Sequence, residues 1–301
     1  MPFIQRSVGS LFSFGRRPLA RLALLVLCGG LLAGCEGKVT MDLATELPSD
    51  PAIAQIVANV RGLQFVTSSG GTETIEFSDS EVLDFIDLAD DNGMLRLFTD
   101  EQLSEGNYTG VRLLFDENAS DDAYVTNNSG TQFPLNLVTG DYATLSFDVE
   151  KDKTSHESFT LLLDLRKSLS FDDDSDEYTL TPILRAVKTE DMSRIEGNVS
   201  VSCPSGDSLS RGAVYLYTGE DVTPDDIDGS DTEPFATTPI FTSSSGNSYF
   251  YALRYLPAGD YTMAVTCIGN DEDPLTSEDL EFRNIVNISV DDAETVTRNL
   301  P

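Results

Sequence analysis

The sequence predicts an all-β protein built as two consecutive antiparallel β-sandwiches behind a signal peptide. Three observations predict it. Short runs of alternating apolar and polar residues, separated by Gly, Asn, Asp and Ser, recur from Lys38 to the C-terminus, as strands with one buried face require. No long stretch keeps a helical period with caps at both ends, and no strand–helix alternation marks a doubly wound or barrel enzyme. The first 34 residues are basic, then apolar, then small, unlike anything that follows.

That opening segment, residues 1–34, carries Arg6, Arg16, Arg17 and Arg21 and no acid. The apolar run from Leu22 to Ala33 is too short for a transmembrane helix, which needs about 20 residues, and has the length of a signal-peptide core. Its exit, Leu32-Ala33-Gly34-Cys35, resembles the bacterial lipobox. The resemblance implies cleavage before Cys35, acylation of its thiol, palmitate among the acyl chains, and a short tether over residues 35–37. Glu36 stands where an Asp would retain a lipoprotein at the inner membrane, so outer-membrane sorting is expected. Two or three acyl chains make a stable anchor at about 0.8 kcal/mol per buried CH₂.

The first β domain is expected over residues 38–190. Val39, Met41 and Leu43 alternate as its opening strand. Ile56, Ala58 and Val60 alternate next, Gly62 breaks the period, and Leu63 and Phe65 resume it out of phase, which predicts a β-bulge. Ser68 to Gly71 is a turn before Ile75 and Phe77. Ser80 to Leu88 and Asp100 to Leu103 read as short helical turns. Val111, Leu113 and Phe115 follow the turn at Glu105-Gly106-Asn107. Asn127-Asn128-Ser129-Gly130 signals a hairpin before Phe133, Leu135 and Leu137. Leu145, Phe147 and Val149 are expected to pair with Phe159, Leu161, Leu163 and Leu165, and Tyr178, Leu180, Pro182 and Leu184 close the set.

The segments Leu163-Asp164-Leu165-Arg166-Lys167-Ser168-Leu169 and Tyr178-Thr179-Leu180-Thr181-Pro182-Ile183-Leu184-Arg185 resemble the C-terminal signature of the bacterial domain of unknown function 4382 family. So does the run from Leu103 to Leu113. The resemblance covers roughly residues 38–188. It implies an extracytoplasmic lipoprotein and no particular activity.

The second β domain is expected over residues 193–301. Its runs are Ile195 to Val199, Gly212 to Tyr217, Ser248 to Tyr251, Leu256 to Val265, Ile285 to Val290 and Glu294 to Leu300. This order is similar to the carboxypeptidase-regulatory, transthyretin-like sandwich, an Ig-like fold, apart from an acidic insertion between Gly219 and Pro234. That resemblance implies an accessory module and carries no catalytic residue across. The phrase Gly-[Asn/Asp]-Tyr-Thr occurs at Gly106–Thr109 and again at Gly259–Thr262. It reads as a tyrosine corner, with Gly permitting positive φ and the hydroxyl bonding backbone.

Charge narrows the function. The chain holds 51 acidic against 19 basic residues, a net −32. Without the four arginines of residues 1–34 the balance is 15 against 51, or −36. Such a surface repels phosphate backbones, so no nucleic-acid partner is expected. The single His156 lies in a polar loop, where it reads as solvated, and no nucleophile elbow, P-loop, zinc helix or dinucleotide fingerprint occurs. Cys203 and Cys267 are the thiols left once Cys28 is removed and Cys35 acylated. Both fall in predicted strands, and a disulfide is expected in an oxidising compartment, against the alternative of two buried free thiols. Acidic runs at 172–177, 225–231 and 271–273 read first as solvated loops. Were one to hold calcium, the ligands would be Asp226, Asp228 and Asp231, although the EF-hand spacing fails there. No other cofactor is expected. Asp164 and Arg166 are read as sharing one strand face, with Arg185 and Arg112 able to join them as an ion cluster.

The expectation is therefore a non-enzymatic, lipid-anchored protein of the bacterial cell envelope that binds a protein, a glycan or another envelope component. The alternative is a carboxylate-dependent extracytoplasmic hydrolase of polysaccharide.

Overall fold

Alternation puts one face of each strand into a core, and the computed structural model lays out twenty strands by that rule among the residues it describes, 37–89, 93–116, 122–150, 155–230, 232–246 and 248–301. The expected signal peptide at 1–34, Cys35 and Asp231 lie outside the described residues. The first part of the chain runs β1 (Gly37–Glu46), β2 (Ile53–Thr67), β3 (Thr72–Asp84), β4 (Leu95–Leu103), β5 (Gly106–Phe115), β6 (Tyr124–Asn127), β7 (Gln132–Leu137), β8 (Ala143–Val149) and β9 (His156–Asp164). A single helical turn, α1 (Leu165–Ser168), leads to β10 (Leu169–Asp172), β11 (Glu177–Leu180) and β12 (Leu184–Lys188).

A four-stranded sheet, β12-β9-β1-β4, packs on an eight-stranded sheet, β10-β11-β7-β6-β2-β5-β8 with β3 beside β2. One core lies between them, with Met41, Leu43, Phe159 and Leu161 from the first and Ile56, Leu63, Phe65 and Leu113 from the second. Phe147 and Phe159 meet across the layers at 5.3 Å between ring centroids, as do Phe77 and Phe98 at 4.8 Å. Aromatic pairs of this kind add about 1 kcal/mol beyond their burial.

Several expectations meet corrections here. The sheets are mixed rather than antiparallel throughout: β1 pairs parallel with β9, and β7 with β11. β8 does not pair with β9. It pairs with β5 in the larger sheet, whereas β9 crosses to the smaller one, between β1 and β12. From Phe159 to Asp164 every residue of β9 is buried, because both faces of this inner strand are covered. The expected helical turn at Asp100–Leu103 is strand: a bulge opposite Thr40 places Asp100 at φ 53°, and its N–H donates to the Thr40 hydroxyl at 3.1 Å. Of Ser80–Leu88, the part to Asp84 is strand and only Asp87–Ala89 forms a 3₁₀ turn. The Gly62 bulge is present in the pairings of β2 with β3 and with β5, and a Cβ there would sit 2.1 Å from the Ile75 carbonyl oxygen.

The remaining strands are β13 (Ser193–Val199), β14 (Ala213–Thr218), β15 (Ala236–Pro239), β16 (Phe241–Thr242), β17 (Tyr249–Leu256), β18 (Gly259–Thr266), β19 (Phe282–Val290) and β20 (Thr295–Thr297). They form two four-stranded sheets, β16-β17-β13-β20 and β15-β14-β18-β19, with β13 and β20 parallel. Ile195, Leu253 and Leu256 of one meet Val214, Leu216, Met263 and Val265 of the other in a second core. Cys203 and Cys267 are bridged, 5.8 Å apart at Cα. Neither lies in a strand: Cys203 follows β13 in coil and Cys267 is one residue past β18, so the bridge ties strand ends of the two sheets. The two cores are separate, yet the described residues from Gly37 to Pro301 form one compact unit.

Both Gly-[Asn/Asp]-Tyr-Thr phrases are tyrosine corners. The Tyr108 hydroxyl donates to the Ser104 carbonyl at 2.9 Å and that of Tyr261 to the Pro257 carbonyl at 2.7 Å, each four residues back. The glycine serves proximity rather than positive φ. Neither Gly106 nor Gly259 is among the left-handed glycines, and a Cβ at Gly259 would lie 3.3 Å from the Tyr261 ring. Tyr261→Phe keeps the ring and leaves the Pro257 carbonyl unpaired. It should lower the free energy of urea unfolding by about 1–3 kcal/mol, whereas an unchanged midpoint would remove the corner from the stabilising set. The paired change Cys203→Ser with Cys267→Ser, which opens a 64-residue separation, should cost about 4 kcal/mol in the same measurement.

Candidate functional site

β14 is buried on both faces, and its second face builds the site. Val214 and Leu216 point into the core, whereas Ala213, Tyr215 and Tyr217 point outward under the acidic insertion 219–234 and the loop 267–281. Ile227 and Leu280 anchor those two segments on the tyrosines in a small third core. The tyrosine hydroxyls need partners there, and the segments supply them. Tyr217 donates to the Asp225 carbonyl and Tyr215 to the Glu272 carboxylate.

Glu272 does not stand alone. One oxygen from each of Asp226, Glu272 and Glu278 lies within 4.8 Å of the others. Asp226 is 1% exposed and Glu272 5%, and Glu278 is half-buried. Backbone amides hold the carboxylates in place: Ile227 N–H donates to Glu272 Oε1 at 3.0 Å, and Glu278 N–H donates to Asp226 Oδ2. Burial pushes the Glu272 carboxyl up to about 7, against the opposing hydrogen bonds from Tyr215 and Ile227 and the charge of Arg166. Burial likewise raises Asp226, and it raises the Tyr215 hydroxyl well above its ordinary value.

Arg166 reaches this place from α1, in the first part of the chain. It is 1% exposed, and its Nη1 donates to the Gly269 carbonyl. Its neighbours behave alike. Lys167 Nζ donates to the Pro234 carbonyl, and Arg185 donates to the carbonyls of Phe235 at 3.1 Å and Arg254 at 3.2 Å while pairing with Glu46 at 2.8 Å. The Arg185 guanidinium also lies 5.0 Å over the Phe235 ring. Burial pushes Glu46 up to about 7 despite that arginine.

The ion cluster expected from Asp164, Arg166, Arg185 and Arg112 does not form. Asp164 ends β9 and caps α1 by accepting Lys167 N–H at 3.2 Å, so Arg166 leaves the strand and its face. Arg112 lies elsewhere, donating to Gln64 and stacked 4.6 Å over Tyr142. His156 is exposed at the start of β9, 3.4 Å from Asp100. Of the two calcium candidates among the described residues, Asp226 joins the carboxylate cluster and Asp228 does not. Asp228 accepts Ser230 N–H at 2.8 Å and shapes its own turn, and Asp231 lies outside the described residues. Glu272 and Glu278 were missed. Glu272 belongs to the noted run 271–273, but nothing in that run distinguishes the one residue that turns inward.

A cavity of about 500 Å³ lined by Lys167, Arg185, Tyr217, Glu233 and Phe235 flanks these elements. Glu272 borders another of about 180 Å³ shared with Asp50, Phe171 and Asn270. Away from them, a cavity of about 950 Å³ lies in the first part of the chain between β5 and β7, lined by Leu113, Phe115, Phe133 and Arg61.

Residues 36–182 match the family model described as Domain of unknown function (DUF4382). The match ends before Arg185 and takes in Arg166 and Lys167. No curated protein matches the sequence. Among solved structures the chain is similar to the Bacillus anthracis TIE protein, at 11% identity over 87% of this chain and 33% of that one, with a TM-score of 0.21. The chain thus spans about a third of that protein. It is also similar to the minor pilin of Streptococcus agalactiae (11% identity, 86% and 93% covered, TM-score 0.20). The fimbrial anchor protein of Porphyromonas gingivalis is a third (14% identity, 78% and 80% covered, TM-score 0.20).

The raised Glu272 carboxyl has a stability consequence. The unfolded chain releases this proton at a lower pH than the folded one, so the folded state binds more protons between about pH 4.5 and 7 and loses stability as pH rises through that window. In metal-free buffer, Glu272→Gln should flatten the fall seen in chemical denaturation between pH 5 and 8, by up to about 3 kcal/mol. The part contributed by Glu46 should remain.

Proposed function

We propose that the chain is a lipid-anchored, non-catalytic module of the bacterial cell envelope that binds or braces an envelope or extracellular component. The observation that carries this reading is how near to Cys35 the described fold reaches. β1 begins at Gly37, two residues after Cys35, and is an inner strand of its sheet with Gly37 already buried. An acyl chain on Cys35 would hold an inner strand of the core within roughly 7 Å of chain, at about 3.5 Å per residue. Load or position at the membrane would pass from Cys35 into the sheet over two residues. Glu36 favours the outer membrane over the inner. A protein or glycan partner would meet the loops and exposed edges, where the net charge of −36 left without residues 1–34 (15 basic against 51 acidic) keeps the surface solvated and disfavours nucleic acid.

A carboxylate-dependent hydrolase of polysaccharide needs two acids that face a cleft. Asp226 and Glu272 do converge, but at 1% and 5% exposure they are closed to a saccharide, which supports the binding reading.

Metabolic labelling with an alkyne-bearing palmitate tests the anchor. The wild-type protein should take the label and partition into detergent, and Cys35→Ala should do neither. A wild-type protein exported without label would overturn the anchor. Crosslinking in native envelopes, followed by purification, should then retain a specific partner that denatured envelopes do not yield.

A further inference from the structure

We propose that Asp226, Glu272 and Glu278 bind a divalent cation, and that the cation is calcium. The three come from two segments that are distant in sequence, the insertion after β14 and the loop between β18 and β19, yet their oxygens gather within 4.8 Å. Like charges gathered that closely repel unless something positive lies among them. The nearby bases are engaged elsewhere: Arg166 acts on Glu272 only through its field and gives its Nη1 to the Gly269 carbonyl, while Lys167 pairs with Glu233, Arg185 with Glu46 and Arg211 with Asp271. Among the described residues none of these pairs with the three carboxylates.

A second observation points to a ligand. Asp226 Oδ1 has no hydrogen-bond partner among the described residues, in a side chain that is 1% exposed. The other oxygens are already held. Asp226 Oδ2 accepts Glu278 N–H, Glu272 accepts Ile227 N–H and the Tyr215 hydroxyl, and Glu278 accepts the Thr276 hydroxyl. Hydrogen bonds of this kind fix the direction of metal ligands and leave the free lone pairs converging. One orphan acceptor in a well-bonded cage is what a bound cation would satisfy.

The donor set selects the ion. It is oxygen only, with no imidazole or thiolate, which suits a hard cation over zinc or copper. Oxygens bound to one calcium at 2.3–2.6 Å lie no more than about 5 Å apart, and the observed spread fits inside that sphere. Carbonyls and waters would complete the usual six to eight ligands. Bound there, the cation would fasten the acidic insertion to the loop 267–281. Pro234, which ends the first, and Gly269 in the second are also where Lys167 and Arg166 dock. This inference does not rest on the envelope reading.

Titration of the chelator-treated full chain with calcium chloride tests it, by calorimetry and thermal unfolding. The wild-type protein should bind calcium at one site with a sub-millimolar Kd and unfold at a higher Tm. Asp226→Asn and Glu272→Gln should each weaken binding by more than about tenfold, and Asp228→Asn should leave it unchanged. Terbium gives a readout that does not depend on stability. The chain has no tryptophan, and Tyr215 touches Glu272, so bound terbium should emit through tyrosine excitation, and Tyr215→Phe should dim that emission while calcium still binds. No heat and no Tm shift at millimolar calcium would overturn the proposal. So would equal affinity in Asp226→Asn, Glu272→Gln and the wild type, or binding of magnesium with calcium excluded.

Discussion

The structure depends on one buried guanidinium. Arg166 is 1% exposed, and a charge taken out of water that far must be met by oriented dipoles or opposite charge. Its Nη1 is met by the Gly269 carbonyl and its charge by the field of Glu272 and Tyr215, all from the second part of the chain, while Nε and Nη2 have no hydrogen-bond partner among the described residues. Lys167 and Arg185 follow the same rule and also end on carbonyls of the second core. The seam between the two cores is thus made by cations of one reaching backbone oxygens of the other. Carbonyls do not titrate and are present whatever the side chain, so such a seam asks little of the second core's sequence.

The residues that present these cations are a local knot. Asp164 caps α1, and the Ser168 hydroxyl donates back to the Asp164 carbonyl. Ile183 N–H donates to Ser168 Oγ at 2.9 Å, and Asp164 N–H to the Ile183 carbonyl at 3.0 Å. One helical turn between β9 and β10 is thereby locked to the approach of β12. The runs Leu163–Leu169 and Tyr178–Arg185 are the two halves of that knot. Their composition follows from its needs: a capping acid, a bonding hydroxyl, and bases aimed outward at a neighbour.

What could be read in the sequence was local. The bulge at Gly62, the turns at Gly70 and Gly130 with φ near 80°, and the two tyrosine corners depend on residues a few positions apart. Which sheet a strand joins does not. Leu145–Val149 and Phe159–Leu165 carry equal apolar signals, and only packing sends β8 to β5 and β9 to β1. The carboxylate cluster was half-visible for the same reason. A run such as 225–231 advertises Asp226, Asp228 and Asp231 alike. The pairing of β14 with β18 decides that Asp226 faces Glu272, and Asp228 is used up by its own turn. Asp164 and Arg166 share a face only if the strand continues, and the cap at Asp164 ends it.

The extreme charge acquires a structural sense at the seam. With 51 acids and 19 bases, most carboxylates must be left to water, and those that are buried need a reason. Glu46 and Glu272 are the two buried carboxyls raised to about 7, and each lies in the field of a seam arginine, Arg185 and Arg166. In both cases burial outweighs the guanidinium, although Arg185 touches Glu46 at 2.8 Å. Desolvation therefore governs this contact more than pairing does. A seam of that kind is not held together by salt bridges in the ordinary sense. It is held by cations on carbonyls, with two carboxyls beside them whose charge the fold keeps only at a cost in proton affinity. Any positive group brought to Glu272 would shift that balance further than one brought to an exposed acid, because there is no water at that depth to screen it.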